Sequence, residues 1–417
     1  MPNTITETTS ATKFDLAAIQ RALGENKIDG WLFYDHHHRD PLAYSILGLD
    51  PNMHVTRRWY YFIPATGEPK KLVHRIESFR LDTLPGTKTA YSSWQELESQ
   101  IATLLSGATK IAMQYSPRNA IMYVSMVDAG TIELLRSFGK EPVTSADLVS
   151  HFEAVLTDAQ IATHYVAQKH IDQILDAAWK EIGTRARNGG TTEYAMVQYL
   201  QEGLRRANLV WDHGPNVSAG PNSADSHYEP TAANSRRIGK GDFVLIDIWG
   251  KLAAPSNPKE ADPAAVWYDI TWTGVVGREP TEREQLIFTT VRDARDASIK
   301  AVQEAFAANQ PIAGWQADEA GRSLIVKAGF GDAFTHRTGH NIGPEIHGNG
   351  AHLDNLETHD ERLILPNTCF SVEPGLYFPS AYSGDPNAFG VRSEVDMIAR
   401  KGKAEVTGRI QTELVRA

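Results

Sequence analysis

Several features that mark whole classes of protein are scarce or missing in this sequence. It has one cysteine, Cys369, which excludes an intramolecular disulfide, and its apolar neighbours predict a small buried side chain rather than a nucleophile. No block of Lys and Arg occurs and the formal net charge is −10, so the basic surface of a nucleic-acid-binding protein is missing. No apolar run approaches the roughly 18 residues needed to cross a bilayer. We therefore expect neither a nucleic-acid partner nor a membrane.

The sequence motifs of two large enzyme classes are also missing. The chain has no G-x-G-x-x-G after a strand, no Walker A sequence and no G-x-S-x-G. Nucleotide-dependent and serine-hydrolase functions therefore have no support. Residues 1–12 are polar and lack the basic and apolar regions of a secretory signal, which leads us to expect a cytoplasmic protein.

The length and the pattern of apolar residues predict two domains. A chain of 417 residues exceeds what one hydrophobic core usually supports. Residues 1–155 alternate strand candidates with amphipathic helices, which predicts a smaller α/β domain. Residues 156–417 open with long helical periodicity and continue with both strands and helices, which predicts a larger second domain.

Four predicted strands of the second domain each carry a carboxylate inside an apolar run. The segments are 242–249 with Asp247, 267–276 with Asp269, 368–377 with Glu373 and 389–398 with Glu394. One such acid is usually a solvent-facing residue or a salt-bridge partner. An ionised carboxylate in an apolar interior must be paired, coordinated or protonated, so four together are hard to explain as packing.

Divalent cations would neutralise these acids better than arginine would. Arg392 is the one arginine at a matching strand position, on the same face as Glu394, and a single cation is too few for four carboxylates. Two divalent ions would carry four positive charges, and the histidine-rich stretch 335–350, THRTGHNIGPEIHGNG, can add a neutral imidazole ligand. An oxygen-rich shell with one nitrogen suits Mn²⁺, Co²⁺ or Zn²⁺. Two such ions activate water and polarise a carbonyl, which predicts hydrolytic chemistry.

Five segments form an ordered set in the second domain: Val244–Asp247, Tyr268–Thr273, His336–His340, Val372–Tyr377 and Val391–Asp396. Their order and approximate spacing resemble those of the pita-bread metallopeptidases. This family includes prolidase, aminopeptidase P and methionine aminopeptidase, with creatinase as a metal-free relative. The resemblance covers about residues 157 to 410. It implies an α+β class, with a C-terminal pita-bread (creatinase/aminopeptidase) fold of antiparallel sheet and flanking helices behind a smaller α/β domain.

The resemblance implies two divalent metal ions per chain, with Mn²⁺ preferred over Co²⁺ or Zn²⁺. Asp247 would chelate one ion, Asp269 and Glu394 would bridge the pair, and His340 with Glu373 would complete the second. Glu373 would also move the proton from the attacking water to the leaving amine.

The resemblance also implies catalytic and substrate-binding residues outside the metal shell. His347 would stabilise the tetrahedral intermediate, and His227 would be a second active-site histidine. His336, Arg362 and Arg392 would bind substrate. Without the resemblance, His227 is a loop histidine and Arg362 is a surface arginine.

Two features depart from the family pattern. Trp272 stands where prolidases and aminopeptidases P usually have an arginine, so the electrostatics near Asp269 should differ. The extra segment 251–263 between Asp247 and Asp269 is polar and rich in proline, which predicts a loop over the active site that changes which substrates enter.

These observations lead us to expect a dinuclear metal hydrolase of Xaa-Pro bonds, with a small dipeptide as the first expected substrate. Three alternatives stay open: an aminopeptidase P acting on longer peptides, a hydrolase or lyase of a non-peptide substrate, and a metal-free binding protein. The family commonly pairs subunits so that an N-terminal domain borders the partner's active site. We therefore expect a homodimer.

Overall fold

The computed structural model describes residues 14–379 and 388–417. Its contacts divide the chain into two compact units, Met1–Glu153 and Ala154–Ala417, whereas the expected division lies at residues 155 and 156. Residues 1–12, on which the expectation of a cytoplasmic protein rests, lie outside the described residues. Within the described part of the chain, no helix combines the length and apolarity needed to span a membrane.

The N-terminal unit is built around one mixed sheet. Its strands are β1 Gly30–Asp35, β2 Trp59–Pro64, β3 Lys70–His74, β4 Thr87–Tyr91, β5 Lys110–Met113 and β6 Glu141–Thr144, in the spatial order β4-β3-β2-β1-β5-β6. Its helices are α1 Leu16–Glu25, α2 Pro41–Leu47, α3 Trp94–Leu104, α4 Ala129–Ser137 and α5 Ala146–Ala154. Side chains of a strand alternate between faces, so Trp31 and Phe33 enter one apolar cluster while Leu32 enters another on the opposite face. The predicted α/β character is confirmed.

The second unit opens with one long helix, α6 Asp158–Arg187, as the long helical periodicity predicts. Helix α5 ends at Ala154, and Thr157 caps α6 through a capping box with Gln160. Three further helices follow: α7 Glu193–Arg206, α8 Glu282–Ala307 and α9 Gly314–Lys327. Short 3-10 helices across the described chain are Arg75–Glu77, Pro117–Asn119, Met122–Val124, Gly220–Ala224 and Gly331–Ala333.

The strands of the second unit form several mostly antiparallel sheets. They are β7 Thr191–Thr192, β8 Leu209–Val210, β9 Asn216–Ala219, β10 Arg237–Ile238, β11 Phe243–Ala254, β12 Asn257–Ala261, β13 Tyr268–Val275, β14 Asn341–Ile342, β15 Cys369–Val372, β16 Gly375–Phe378, β17 Phe389–Arg392, β18 Val395–Arg400, β19 Lys403–Thr407 and β20 Val415–Arg416. Strand β11 pairs with β8, β9, β12 and β13, and a second sheet has the order β14-β15-β18-β19. Helix α6 packs on the β11–β13 pair, where Ile171 meets Ile246 and Ile270 in one apolar cluster. The predicted antiparallel sheet with flanking helices is confirmed.

Two of the four predicted strands that carry an acid are interrupted in the structure, and each forms two shorter strands. The apolar run 368–377 divides into β15 and β16 at Glu373 and Pro374, and the run 389–398 divides into β17 and β18 at Ser393 and Glu394. Strand β15 pairs with β18 while β16 pairs with β17, so each chain segment passes from one sheet to another at its acid. The expectation of a carboxylate in the middle of a strand is therefore wrong for these two acids.

The extra segment 251–263 is a hairpin rather than a loop. Strand β11 runs on to Ala254 and turns into β12, and the two pair in antiparallel fashion with a register shift at Ala253 and Ala254. Lys251 and Leu252 also pair with β8. The prediction from the prolines was wrong because Pro258 lies on strand β12 at the edge of the sheet, where the missing N–H costs no ladder bond.

Candidate active site

Asp247 and Asp269 come from neighbouring strands and face the same side of the sheet. In the β11–β13 pair, Asp247 lies opposite Thr271 and Trp249 lies opposite Asp269. The alternate residues Ile246 and Ile270 point to the helical side. The period of two in a strand therefore puts both carboxylates on the face away from α6, where both are buried.

Glu373 and Glu394 reach the same place from the breaks between strands. The amide of Glu394 donates to Thr271 O at 3.1 Å, and the amide of Glu373 donates to Thr338 O at 2.7 Å. Ser371 Oγ donates to Glu373 Oε1 at 3.1 Å. These bonds fix both carboxylates beside Asp269, because each break is tied to a strand or loop that already carries a site residue.

Thr271 and Arg392 connect the acids to one another. The Thr271 hydroxyl lies 2.9 Å from Asp247 Oδ1 and 2.6 Å from Glu394 Oε2, and it accepts from Arg392 Nε at 2.9 Å. Arg392 also forms an ion pair with Asp247, and its Nε lies 3.8 Å from Glu373 Oε2. One hydroxyl proton and one guanidinium cannot satisfy this many carboxylate oxygens.

His340 presents a lone pair to two of these carboxylates. Its Nδ1 lies 3.3 Å from Asn341 O, which places the ring proton on Nδ1. Its Nε2 then faces Glu373 Oε1 at 3.3 Å and Asp269 Oδ2 at 4.0 Å. Burial lowers the pKa of His340 well below its ordinary value, so the ring is neutral. A neutral acceptor aimed at carboxylates is unfavourable unless a cation lies between them.

The residues present fit divalent cations. Asp269 Oδ1 and Glu394 Oε1 are buried and have no hydrogen-bond partner among the described residues. Three possible ligand atoms lie within 4.8 Å of one another, one each from Asp269, His340 and Glu394. Burial and neighbouring acids raise the pKa values of Asp269 and Glu394 well above their usual range, because the charged forms lack compensation. Asp247 and Glu373 border this group, so the structure brings all five expected ligands together.

Glu373 has the ionisation expected of a proton carrier. Burial raises its pKa to about 7, with the charge of Asp247 acting in the same direction and that of Arg392 opposing it. A carboxyl with this pKa takes up and releases protons near neutrality. Its Oε1 also faces His340, so proton exchange and ligand binding are available to the same side chain.

Of the three other expected histidines, His336 and His347 lie beside this centre, and His227 is exposed and influences the pKa of His347 only weakly. His347 makes an edge-to-face contact with His340, with ring centroids 4.4 Å apart. His347 is exposed to solvent, yet desolvation by the surrounding protein lowers its pKa to about 4, with the charge of Arg337 acting in the same direction. His336 Nε2 lies 3.0 Å from Tyr377 Oη, and burial lowers the pKa of His336 to about 3. Both His336 and His347 are therefore neutral near pH 7.

The two expected substrate-binding arginines already have partners. Arg362 is buried rather than on the surface, and its guanidinium donates to both carboxylate oxygens of Asp360 and to Asn349 O at 2.9 Å. The surface interpretation is wrong, and binding a substrate carboxylate would require Arg362 to leave Asp360. Arg392 lies within the carboxylate cluster, paired with Asp247, and so is placed to balance the charge of the acids.

Trp272 does not face the cluster. Asp269 and Thr271 point to the acid-bearing face of β13, so Trp272 points to the helical face, where it joins the cluster that contains Tyr268 and Ile270. Its ring lies 4.8 Å from the Arg409 guanidinium. The expectation that Trp272 alters the electrostatics of the site directly is therefore wrong.

A second group of possible ligands lies behind the first. His164, Cys369 and Asp396 are buried close together. His164 Nδ1 contacts Trp267 O at 2.6 Å and Nε2 contacts Thr407 Oγ1 at 2.8 Å, so both ring nitrogens already have partners. Cys369 is fully buried, as its apolar neighbours predict. This group is part of the core.

Several residues of the site were not identified from the sequence. Asp396 Oδ2 accepts from the amide of Asp269 at 2.9 Å and so holds a ligand in place. Trp249 lies two residues after Asp247 on the same face, with its Nε1 donating to Asp212 Oδ1 at 2.8 Å. The alternation of β11 and β18 is the signal that could have found Trp249 and Asp396.

A family model described as "Metallopeptidase family M24" matches residues 166–401, which is more than half of the chain. A "Putative Xaa-Pro aminopeptidase" of Mycoplasma pneumoniae is 30% identical over 193 residues, which cover 46% of this chain and 48% of that protein. An "Xaa-Pro dipeptidase" of Pyrococcus furiosus is 27% identical over 271 residues, 64% of this chain and 67% of that protein. The chain thus spans about half the length of the first of these relatives and about two thirds of the other.

Solved structures share the fold over nearly the whole chain. Dipeptidase PepE from Mycobacterium ulcerans superposes with a TM-score of 0.63 at 21% identity, covering 96% of each chain. The prolidase from Pyrococcus horikoshii OT3 superposes with a TM-score of 0.56 at 21% identity, covering 96% of this chain and 99% of that one. The expected pita-bread fold is confirmed by these neighbours.

Proposed function

The chain belongs to metallopeptidase family M24, and from this premise we propose that it is a metal-dependent hydrolase of Xaa-Pro peptide bonds. The observation that carries the proposal is the convergence of Asp269, His340 and Glu394 at ligand distance, where two carboxylate oxygens accept no hydrogen bond from any described residue. The similarity to proteins named Xaa-Pro dipeptidase and Xaa-Pro aminopeptidase supports the choice of substrate class.

The proposed ligands for two divalent ions are Asp247, Asp269, His340, Glu373 and Glu394. Such ions supply a water of lowered pKa and a polarised carbonyl. Mn²⁺ is the proposed metal, with Co²⁺ and Zn²⁺ as alternatives, because the donors are four carboxylates and one imidazole. Arg392 and Thr271 hold Asp247 in place and balance part of the negative charge.

Glu373 is the proposed proton carrier. At neutral pH its carboxylate, with Oε1 3.3 Å from His340 Nε2, can accept a proton from the attacking water and donate one to the leaving amine. His347, neutral at this pH, can donate a hydrogen bond from its ring N–H to the developing oxyanion. His336, in contact with Tyr377, is proposed to orient the peptide, and His227 is proposed as a second active-site histidine.

A dipeptidase is our first choice of activity, and an aminopeptidase on longer peptides is the second. Named relatives of both kinds match the chain over similar lengths. Purified protein reconstituted with Mn²⁺ or Co²⁺ should hydrolyse Ala-Pro. Cleavage of Ala-Pro-Ala without cleavage of Ala-Pro would assign the aminopeptidase activity instead, and cleavage of neither would return the substrate to the non-peptide alternative.

A homodimer and a cytoplasmic location stay predictions. Light scattering on the purified protein should give about twice the monomer mass of 46.1 kDa. A monomer that retains full activity would remove any need for a partner subunit.

A further inference from the structure

The catalytic role proposed for His347 requires its ring to be held, yet the ring itself has few contacts. Its side chain is exposed and makes a ring contact with His340, and the hydrogen bonds of the described residues include none from its imidazole. Its position therefore depends on the backbone of the segment 343–348, here called the His347 loop.

The base of the His347 loop is closed by Asn341. The amide of Gly348 donates to Asn341 O at 2.8 Å, and the amide of Gly350 donates to Asn341 Oδ1 at 2.9 Å. At the other end, the amide of Gly343 donates to Glu345 O at 3.0 Å, which makes a tight turn around Pro344. The turn needs an external contact to fix it, because Glu345 and His347 both face solvent.

Two side chains donate to the same carbonyl oxygen in this turn. Lys251 Nζ lies 2.6 Å from Pro344 O, and Trp267 Nε1 lies 2.9 Å from it. The amide of Trp267 also donates to Gly343 O at 3.2 Å. A carbonyl has two lone pairs, and here both have a donor, one of them charged.

Lys251 reaches the turn from the hairpin that lengthens the chain between Asp247 and Asp269. It lies on the same face of β11 as Asp247 and Trp249, is buried, and has its Nζ 5.3 Å from the Trp267 ring centroid. Burial lowers its pKa, while Glu345 and other acids nearby favour the charged form. An aliphatic side chain would pack on Trp267 equally well and would avoid the cost of burying a charge. What the ammonium provides in addition is the hydrogen bond to Pro344 O.

We propose that Lys251, together with Trp267, is a positioning residue that fixes the His347 loop and thereby sets the place of His347 beside His340. The proposal rests on the proposed function for its catalytic consequence and on the hydrogen bonds to Pro344 O for its structural part. It gives the β11–β12 hairpin a role: the strand that carries the ligand Asp247 also fixes the loop that carries His347.

The test compares Lys251→Met with Lys259→Met, which removes an exposed lysine from the same hairpin. Hydrogen exchange measured by mass spectrometry on the metal-loaded protein should be faster in peptides covering 343–348 for K251M and unchanged for K259M. With an Xaa-Pro substrate, K251M should lower kcat about tenfold with little change in KM, since a displaced catalytic group costs turnover rather than binding.

A double-mutant cycle with His347→Ala separates positioning from general destabilisation. If Lys251 acts through His347, K251M should have little further effect on kcat in the H347A protein. The inference would be overturned if the kcat losses of the two single variants multiplied in the double variant. Unchanged hydrogen exchange in the His347 loop of K251M would also overturn it. Trp267→Phe, which removes the other donor, replaces K251M should that variant fail to fold. If the wild-type protein cleaves no Xaa-Pro bond, the proposed function is wrong. The hydrogen-exchange comparison would still test whether Lys251 fixes the His347 loop.

Discussion

Glu373 combines two properties that a metal-dependent hydrolase needs in one side chain. It borders the proposed metal ligands through His340, and burial raises its pKa to about 7. The sequence identified the residue and the resemblance supplied its role. The pKa could not be predicted, because it depends on burial and on the distances to Asp247 and Arg392, which come from segments far apart in the chain.

Glu373→Gln should remove proton transfer while keeping the size of the side chain. We expect kcat to fall by about 10²–10⁴ in steady-state hydrolysis of an Xaa-Pro dipeptide, the usual contribution of general acid–base catalysis. Glu361→Gln makes the same chemical change at an exposed carboxylate and should leave kcat unaltered. Comparable rates for E373Q and wild type would exclude the proposed role.

His164 predicts a pH dependence of stability. Burial lowers its pKa from 6.5 to about 4 in the folded chain, so between these values the unfolded chain binds more protons. The free energy of unfolding should therefore fall as the pH is lowered through this window, by about 3 kcal/mol at most from this residue. Urea denaturation of the chelated protein should show a smaller pH slope for His164→Gln. Equal slopes in the two proteins would show that His164 does not carry the effect.

At the scale of the element, alternation along strands decides which residues belong to the site. It correctly puts Asp247 and Asp269 on one face, and applied to Trp272 it would have removed the expectation of altered electrostatics. The breaks at Glu373 and at Glu394 could not be found this way, because the apolar runs continue through them. Pro374 was the one local signal, since proline cannot donate to a strand ladder.

Trp272 and Thr271 provide a matched test, because they are adjacent on β13 and face opposite sides. Trp272→Phe should keep kcat and change the free energy of unfolding by no more than about 1–2 kcal/mol, as expected for a core substitution that keeps an aromatic ring. Thr271→Val should lower metal affinity and kcat, because its hydroxyl contacts Asp247, Glu394 and Arg392. The reverse pattern, with activity sensitive to Trp272, would mean that the strand faces are assigned wrongly.

At the scale of the whole molecule, the sequence predicted the classes of both units and the set of residues that converge. It did not predict the hairpin at 251–263, which pairs with the distant strand β8. It also did not predict that Arg362 is buried beside its near neighbour Asp360, because burial depends on how other segments pack around the pair. The acids predict that bound cations stabilise the larger unit, because the carboxylates converge from β11, β13 and two strand breaks with too few donors among the described residues.

Removal of metal should therefore destabilise the protein. Binding to the folded state alone stabilises it by about 2.7 kcal/mol at a ligand concentration a hundred times Kd. Calorimetry should show a higher Tm with Mn²⁺ than with chelator in the wild type, and a much smaller difference in Glu394→Gln. A Tm that does not respond to either addition would argue for the metal-free binding protein.

The central claim is that the carboxylate cluster binds two divalent ions, and its most direct test is metal content. Mass spectrometry of the protein purified without added metal or chelator, and again after Mn²⁺ reconstitution and dialysis, should give near two ions per chain. Asp269→Asn should bind fewer, because Asp269 is proposed to bridge the pair. A wild-type chain that binds no divalent metal under either condition would contradict the account.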